Sequence, residues 1–227
     1  MVFEYGEKET EYLKSKDKRL AEVIGRIGHI DRGTDPDLFT SVVRSIIGQQ
    51  ISTKAQITIC GRLDEEIGEV TPESIAAAGA EKLQSLGMTM KKAEYIVEFA
   101  EKTVSGEFDI EAVERMSDEE AIRELTKLRG IGVWTAEMML LFCLQRPDIL
   151  SYDDLAIQRG MRMVYRHRKI DKKLFAKYKR RLSPCCSVAS LYFWAVAGGA
   201  IPELTDPAPK KKRSPDGERF LICLLGQ

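Results

Sequence analysis

Apolar residues recur at helical spacing along almost the whole chain, and no stretch shows the strict alternation of a half-buried strand. Leu38, Phe39, Val42, Val43, Ile46 and Ile47 share one face of a helix. It opens at Asp35-Pro36-Asp37, read as a cap followed by proline in the first turn, and it ends or bends at Gly48. Ser52-Thr53 caps the next helix, with Ala55, Ile59, Leu63 and Ile67 on its apolar face. Thr71-Pro72 opens a short helix that closes near Gly79, and another runs from Glu81 to Leu86. Lys91 to Val104 is a longer amphipathic helix. Ser117 and Glu120 form a capping box ahead of Ala121, Ile122, Leu125 and Leu128. An apolar helix from Trp134 to Leu144 is broken by Arg146-Pro147. Helices then follow over Leu155 to Tyr165 and Lys172 to Leu182, and Ser183-Pro184 caps a last one that ends at Gly198-Gly199. The fold class is therefore all-α.

Three parts are expected: residues 1–34 as a polar segment packing on the core, 35–199 as the helical core, and 200–227 as a Pro- and Lys-rich tail. The apolar end of that tail, Phe220 to Leu225, is suited to docking on the body. With 227 residues, 44% of them hydrophobic, the chain has enough material for one large domain or two small lobes. No apolar run is long enough to span a bilayer, and the first twenty residues lack the apolar middle of a signal peptide. An intracellular protein is expected, in the cytoplasm or nucleoid, or in the nucleus of a eukaryote, with no membrane partner.

Lys+Arg and Asp+Glu both total 35, so net charge points to no anionic partner, and any DNA must be held by a local basic face. The five cysteines are odd in number and lack paired C-x-x-C spacing. This argues against a disulfide framework and a structural zinc site. The two histidines, His29 and His167, lie far apart in the sequence.

Leu128-Arg129-Gly130-Ile131-Gly132-Val133-Trp134 joins two helices through two glycines. Glycine permits positive φ and leaves backbone N–H groups uncovered. At a helix start such groups suit a phosphate, and phosphate contacts position a protein without reading sequence. Alone, the motif is more often an ordinary tight turn between helices. About twenty residues further on, Asp153-Asp154 precedes a helix, where the positive helix end favours a carboxylate. A cap plus a solvated neighbour is the plain reading of such a pair. Trp134 and Trp194 flank this stretch, and indole faces attract a flat cationic ring.

LTKLRGIGVWTAEMMLLFCLQRPDILSYDDLAIQRG resembles the hairpin and catalytic segment of the helix-hairpin-helix DNA glycosylases, nearest to alkylpurine glycosylases of the 3-methyladenine DNA glycosylase II (AlkA/Mag) type. SVVRSIIGQQISTKAQITICGRL resembles an early core helix of that family, and LQSLGMTMKKAEYIVEFA the segment that meets the minor groove. The likeness runs from about Asp35 to Gly199. It implies two helical lobes with the active-site cleft between them. It places Asp154 as the catalytic carboxylate and Gly130 and Gly132 as the phosphate-binding hairpin. The carbonyls of Thr126, Leu128 and Ile131 would hold a monovalent cation, Na+ or K+. Leu86 would be the wedge that enters the duplex, and Gln50 or Gln49 the probe of the gap. Trp134, Trp194, Met138 and Leu155 would line the base pocket.

Lys91 and Lys92, just after the wedge, are expected to meet phosphate, ahead of the basic run from Arg162 to Arg181. The stretch Lys210 to Arg213 only superficially resembles a nuclear signal. Met138 and Leu155 replace tyrosines of some relatives. Pro184-Cys185-Cys186-Ser187 lacks the arginine of the family's P-x-R-S segment. The β-rich amino-terminal domain of AlkA-type members has no counterpart, and neither does the four-cysteine iron–sulfur cluster of endonuclease III relatives.

The resemblance implies a monomer that acts on double-stranded DNA containing damaged bases and needs no cofactor. Strand-cutting relatives carry a lysine two residues after the second hairpin glycine, and that position is Trp134 here. A monofunctional enzyme releasing alkylated purines is therefore expected. Two other readings stand beside it: a glycosylase for oxidised or mismatched bases, and a noncatalytic helix-hairpin-helix DNA-binding protein.

Overall fold

The structure, a computed structural model, describes residues 1–208. Its described residues form helices and no strand, apart from one isolated bridge between Val2 and Gly33. The expectations for Lys210 to Arg213 and for Phe220 to Leu225 fall outside the described residues. The chain divides into two compact units. One takes Met1–Thr34 and the described residues from Gln145 onward, and the other takes Asp35–Leu144.

The first unit holds α1 (Glu7–Lys16), α2 (Lys18–Ile27), α10 (Leu155–Tyr165), α11 (Lys172–Leu182) and α12 (Cys186–Ala197). The polar amino-terminal segment is therefore two helices. Charged residues mask α1, where Leu13 is the one residue buried. Asp17 caps α2 by accepting from the backbone N–H groups of Arg19 and Leu20, and Arg181 reaches the same carboxylate at 2.8 Å. Helices α10 and α12 touch backbone to backbone. A Cβ built on Gly160 would lie 2.1 Å from the carbonyl oxygen of Phe193, so only glycine fits there. Tyr192, fully buried on α12, donates to the Gly28 carbonyl at 2.9 Å and ties that helix to the end of α2.

The second unit holds α3 (Leu38–Gly48), α4 (Thr53–Ile67), α5 (Pro72–Ser85), α6 (Met90–Val104), α7 (Ile110–Arg115), α8 (Asp118–Leu125) and α9 (Val133–Phe142). Phe39 stacks on Phe99 and Phe99 meets Phe108 edge to face in its core, with centroids 4.9 and 5.4 Å apart. Gly79, at φ 73° and ψ 169°, breaks α5 into the two short helices read from the sequence. Two helix starts differ from expectation. Asp37, not Asp35, caps α3, so Pro36 precedes the cap instead of following it. Cys185 stands at the cap of α12 without a side-chain bond, because Ser183 turns away to donate to Asp148 at 2.6 Å. Helix α7 escaped the sequence reading because it is under two turns long, held by Asp109 as cap and buried through Val113. No described helix is long and apolar enough to cross a membrane.

Candidate active site and DNA-contact hairpin

The first unit gathers Asp154, Trp194 and Leu155. Asp154 is the N-cap of α10 and only 7% exposed. Its Oδ1 accepts from the backbone N–H groups of Ala156 and Ile157, both at 2.8 Å, and from the indole Nε1–H of Trp194 at 3.2 Å. A buried carboxylate costs several kcal/mol unless its oxygens are hydrogen-bonded, and donors at a helix start meet that need in its ionised form. Asp153, its neighbour, is exposed and takes no part in the cap. Leu155 is 70% exposed although it is large and apolar, and it stands directly after the carboxylate.

The strand of chain leading to Asp154 is anchored to the start of α12. Ser187 Oγ accepts from the Ile149 N–H at 2.9 Å, and Ser190 Oγ donates to the Ile149 carbonyl at the same distance. Asp148 accepts from the N–H of Cys186 at 3.3 Å. Ser187 is thus the residue of the Pro184–Ser187 segment that holds the loop. Cys185 and Cys186 are buried, and burial raises both thiols, Cys186 well above its ordinary range. They are packing residues, not thiolate nucleophiles.

The second unit carries the hairpin. Gly130 has φ 88°, the left-handed region, and a Cβ there would lie 2.8 Å from the Tyr95 ring. Gly132 is the N-cap of α9 and offers no side-chain cap, so the first N–H groups of α9 stand at an exposed turn. Leu128 and Ile131, each 5% exposed, turn inward and root the hairpin. Thr126 Oγ1 donates to the Ile122 carbonyl at 2.8 Å. The carbonyls of Thr126, Leu128 and Ile131 are neutral oxygens, a donor type that suits a hard, singly charged cation better than a soft metal. No cluster of His, Cys, Asp or Glu among the described residues could hold a metal ion.

Tyr95 organises the cations beside the hairpin. The Arg129 guanidinium lies 4.5 Å from its ring centroid and the Lys91 ammonium 5.7 Å. Arg129 also pairs with Glu98 at 2.9 Å. Neither Tyr95 nor Arg129 stood out in the sequence, where only the spacing of four positions on α6 between Lys91 and Tyr95 hinted at a shared face. Gln49 is half-buried, and its Nε2 donates to the Gly130 carbonyl at 2.7 Å. Gln50 is exposed at φ 58°, unusual for a residue with a side chain.

Three expected contacts are placed differently from a free surface group. Lys91 is exposed, but the Lys92 ammonium donates to the carbonyls of Ile47 and Gln49, and burial lowers its pKa. Leu86, the expected wedge, is 5% exposed at the end of α5, with Arg62 donating to its carbonyl at 3.0 Å. Met138 is 1% exposed inside α9, while Trp134 is partly exposed. In the basic run, Arg162 is held by Asp206 and Arg181 by Asp17, which removes two of its cations from the open surface.

Residues 43–184 match a family model described as HhH-GPD superfamily base excision DNA repair protein. The chain is 32% identical over 200 residues to DNA-3-methyladenine glycosylase 1 of Schizosaccharomyces pombe, covering 86% of this chain and 87% of that relative. Among solved structures it is similar to a DNA-3-methyladenine glycosidase from Bacillus halodurans, at 35% identity and a TM-score of 0.81, over 89% of this chain and 95% of the other. It is also similar to the Schizosaccharomyces pombe 3-methyladenine DNA glycosylase in complex with abasic DNA, at 30% identity and a TM-score of 0.71, over 84% and 97% of the two chains.

Proposed function

Because the chain belongs to the HhH-GPD superfamily of base excision DNA repair proteins, we propose that it is a monofunctional DNA glycosylase for alkylated purines. It would extrude a purine of the 3-methyladenine or 7-methylguanine kind from the duplex, release it by hydrolysis and leave an abasic site. The observation that carries this reading is the buried Asp154 carboxylate at the start of α10, gripped by the Trp194 indole N–H at 3.2 Å. Relatives named for 3-methyladenine from Schizosaccharomyces pombe, solved with abasic DNA, and from Bacillus halodurans support the substrate class.

The bond to be cut lies inside the stack, so the nucleotide must first leave it, at a cost of a few kcal/mol that is lowest at a damaged pair. Gly130 and Gly132 hold a phosphate by backbone N–H groups, with Lys91 adding a cation nearby. Thr126, Leu128 and Ile131 would hold Na+ or K+ by their carbonyls, placing positive charge at the hairpin. Leu86 would be the wedge that fills the void, and Gln50 would probe the gap. N3- or N7-alkylation makes the purine cationic and a good leaving group. The indole face of Trp194 would favour that charge, with Leu155 as an apolar neighbour.

As the base departs, the sugar becomes cationic. Asp154, already desolvated and held by three N–H donors, stabilises that cation and assists the attacking water. Trp134 occupies the position where a strand-cutting enzyme would carry its lysine, so no covalent imine to the sugar forms. The test is incubation with duplexes bearing 3-methyladenine, 7-methylguanine, hypoxanthine or 8-oxoguanine. Release of the methylated purines with no borohydride-trappable adduct is expected. Release of 8-oxoguanine alone, or a trapped adduct, would overturn the reading.

A further inference from the structure

Lys91 and Lys92 are adjacent, yet α6 turns them to different surroundings, since a helix rotates about 100° per residue. Lys91 is exposed and Lys92 half-buried. The Lys92 ammonium donates to the Ile47 carbonyl at 2.8 Å and to the Gln49 carbonyl at 2.6 Å. Both belong to the end of α3, where the last carbonyls lack helical partners and the helix dipole is negative. Gln49 extends the chain of bonds, because its Nε2 donates to the Gly130 carbonyl at 2.7 Å. The next residue, Gln50, is exposed and holds φ 58°, a conformation that persists in a non-glycine residue only where its surroundings fix it.

We propose that Lys92 is a positioning residue, which clamps the end of α3 so that Gln50 and the Gly130 hairpin turn meet DNA in one fixed register. This rests on the reading of the chain as a DNA glycosylase. Gln49 is the link in the device, and Lys92 itself touches no phosphate. The bonds explain why two lysines that look alike in sequence do different work. Lys91 adds charge that a phosphate can use, and Lys92 spends its charge on the protein's own carbonyls.

A lysine that contacts a phosphate raises the slope of log affinity against log salt by about 0.9, whereas a positioning residue leaves that slope unchanged. The full chain should therefore be titrated with two duplexes, one undamaged and one with a tetrahydrofuran abasic analogue, between about 50 and 200 mM salt. Wild type is expected to prefer the abasic duplex. Lys92→Met is expected to lose about tenfold of that preference, the size of one buried hydrogen-bonded link, with an unchanged salt slope. Lys92→Arg keeps donors for both carbonyls and restores the preference. Gln49→Ala reproduces the loss and adds little to Lys92→Met, as coupled members of one network do. Lys91→Ala lowers the slope and keeps the preference. Should Lys92→Met not fold, Gln49→Ala carries the test.

A slope reduced by about one in Lys92→Met would make it a phosphate contact and overturn the inference. So would a Lys92→Met and a Gln49→Ala that both keep the wild-type preference. A wild type with no preference for the abasic duplex would remove the glycosylase reading and this inference together.

Discussion

The indole Nε1–H of Trp194 donates to Asp154 Oδ1 at 3.2 Å, so an aromatic residue of α12 and the cap of α10 form one hydrogen-bonded unit. The carboxylate that caps the helix is thereby also fixed to the edge of an indole ring. Replacing Trp194 by phenylalanine keeps an apolar ring and removes the donor. A hydrogen bond to a charged group contributes about 1.5–3 kcal/mol, so single-turnover release of an alkylated purine should fall about ten- to a hundredfold. Affinity for undamaged duplex should stay within about twofold, since no phosphate contact is lost.

Gly160→Ala should be among the most damaging single changes in the first unit. Its Cβ would stand 2.1 Å from the Phe193 carbonyl oxygen, and both partners are backbone, so α10 and α12 must move apart. Overpacking of this kind costs about 1–3 kcal/mol or more, visible as a lowered urea midpoint. Gly25→Ala is the matched control, a helical glycine with nothing within 4 Å of a Cβ, and it should unfold at or above the wild-type midpoint.

The two hairpin glycines should respond differently. Gly130→Ala forces φ 88° on a residue with a Cβ and pushes on the Tyr95 ring, at a cost of about 1–2 kcal/mol. Gly132→Ala has open space and an ordinary φ of −95°, so the fold should tolerate it. Thermal unfolding separates the two. DNA affinity should fall in Gly130→Ala in step with the distorted turn.

The Arg162–Asp206 pair gives a pH dependence of known sign. Hydrogen bonding to Arg162 holds the Asp206 carboxyl below its ordinary pKa, with Nε to Oδ1 at 2.9 Å. A carboxyl depressed in the folded state stabilises the protein above its unfolded pKa of about 3.9, and that contribution is lost as pH falls through the lower folded value. Asp206→Asn should therefore cost about 1 kcal/mol at neutral pH and nothing at strongly acid pH. Urea unfolding of both proteins across this range reads the difference.

Much of this architecture was legible because helix signals are local. The capping box at Ser117, the Ser52 and Thr71 caps and the Gly79 break each act over a few residues. The legible part of the site was also local: the two-glycine turn and an acid at a helix start. Helix α1 was hidden because a surface helix with one buried residue has almost no apolar stripe. The direction of a side chain was not legible either. Adjacent lysines at 91 and 92 differ only in which neighbour α6 turns them toward, and the exposed Gln50 differs from the bonded Gln49 in the same way. The bond between Asp154 and Trp194 joins residues forty positions apart, a relation that only the packing of α10 on α12 creates.

The most direct measurement is base release by Asp154→Asn. Asparagine caps a helix about as well as aspartate and keeps an oxygen for the Ala156, Ile157 and Trp194 donors, so the fold should survive and only the charge is lost. Single-turnover release of 7-methylguanine should fall at least about a hundredfold, the scale of removing one preorganised electrostatic contribution. The unfolding midpoint and the affinity for abasic duplex should stay near wild type. Wild-type rates of release in a folded Asp154→Asn protein would contradict the account.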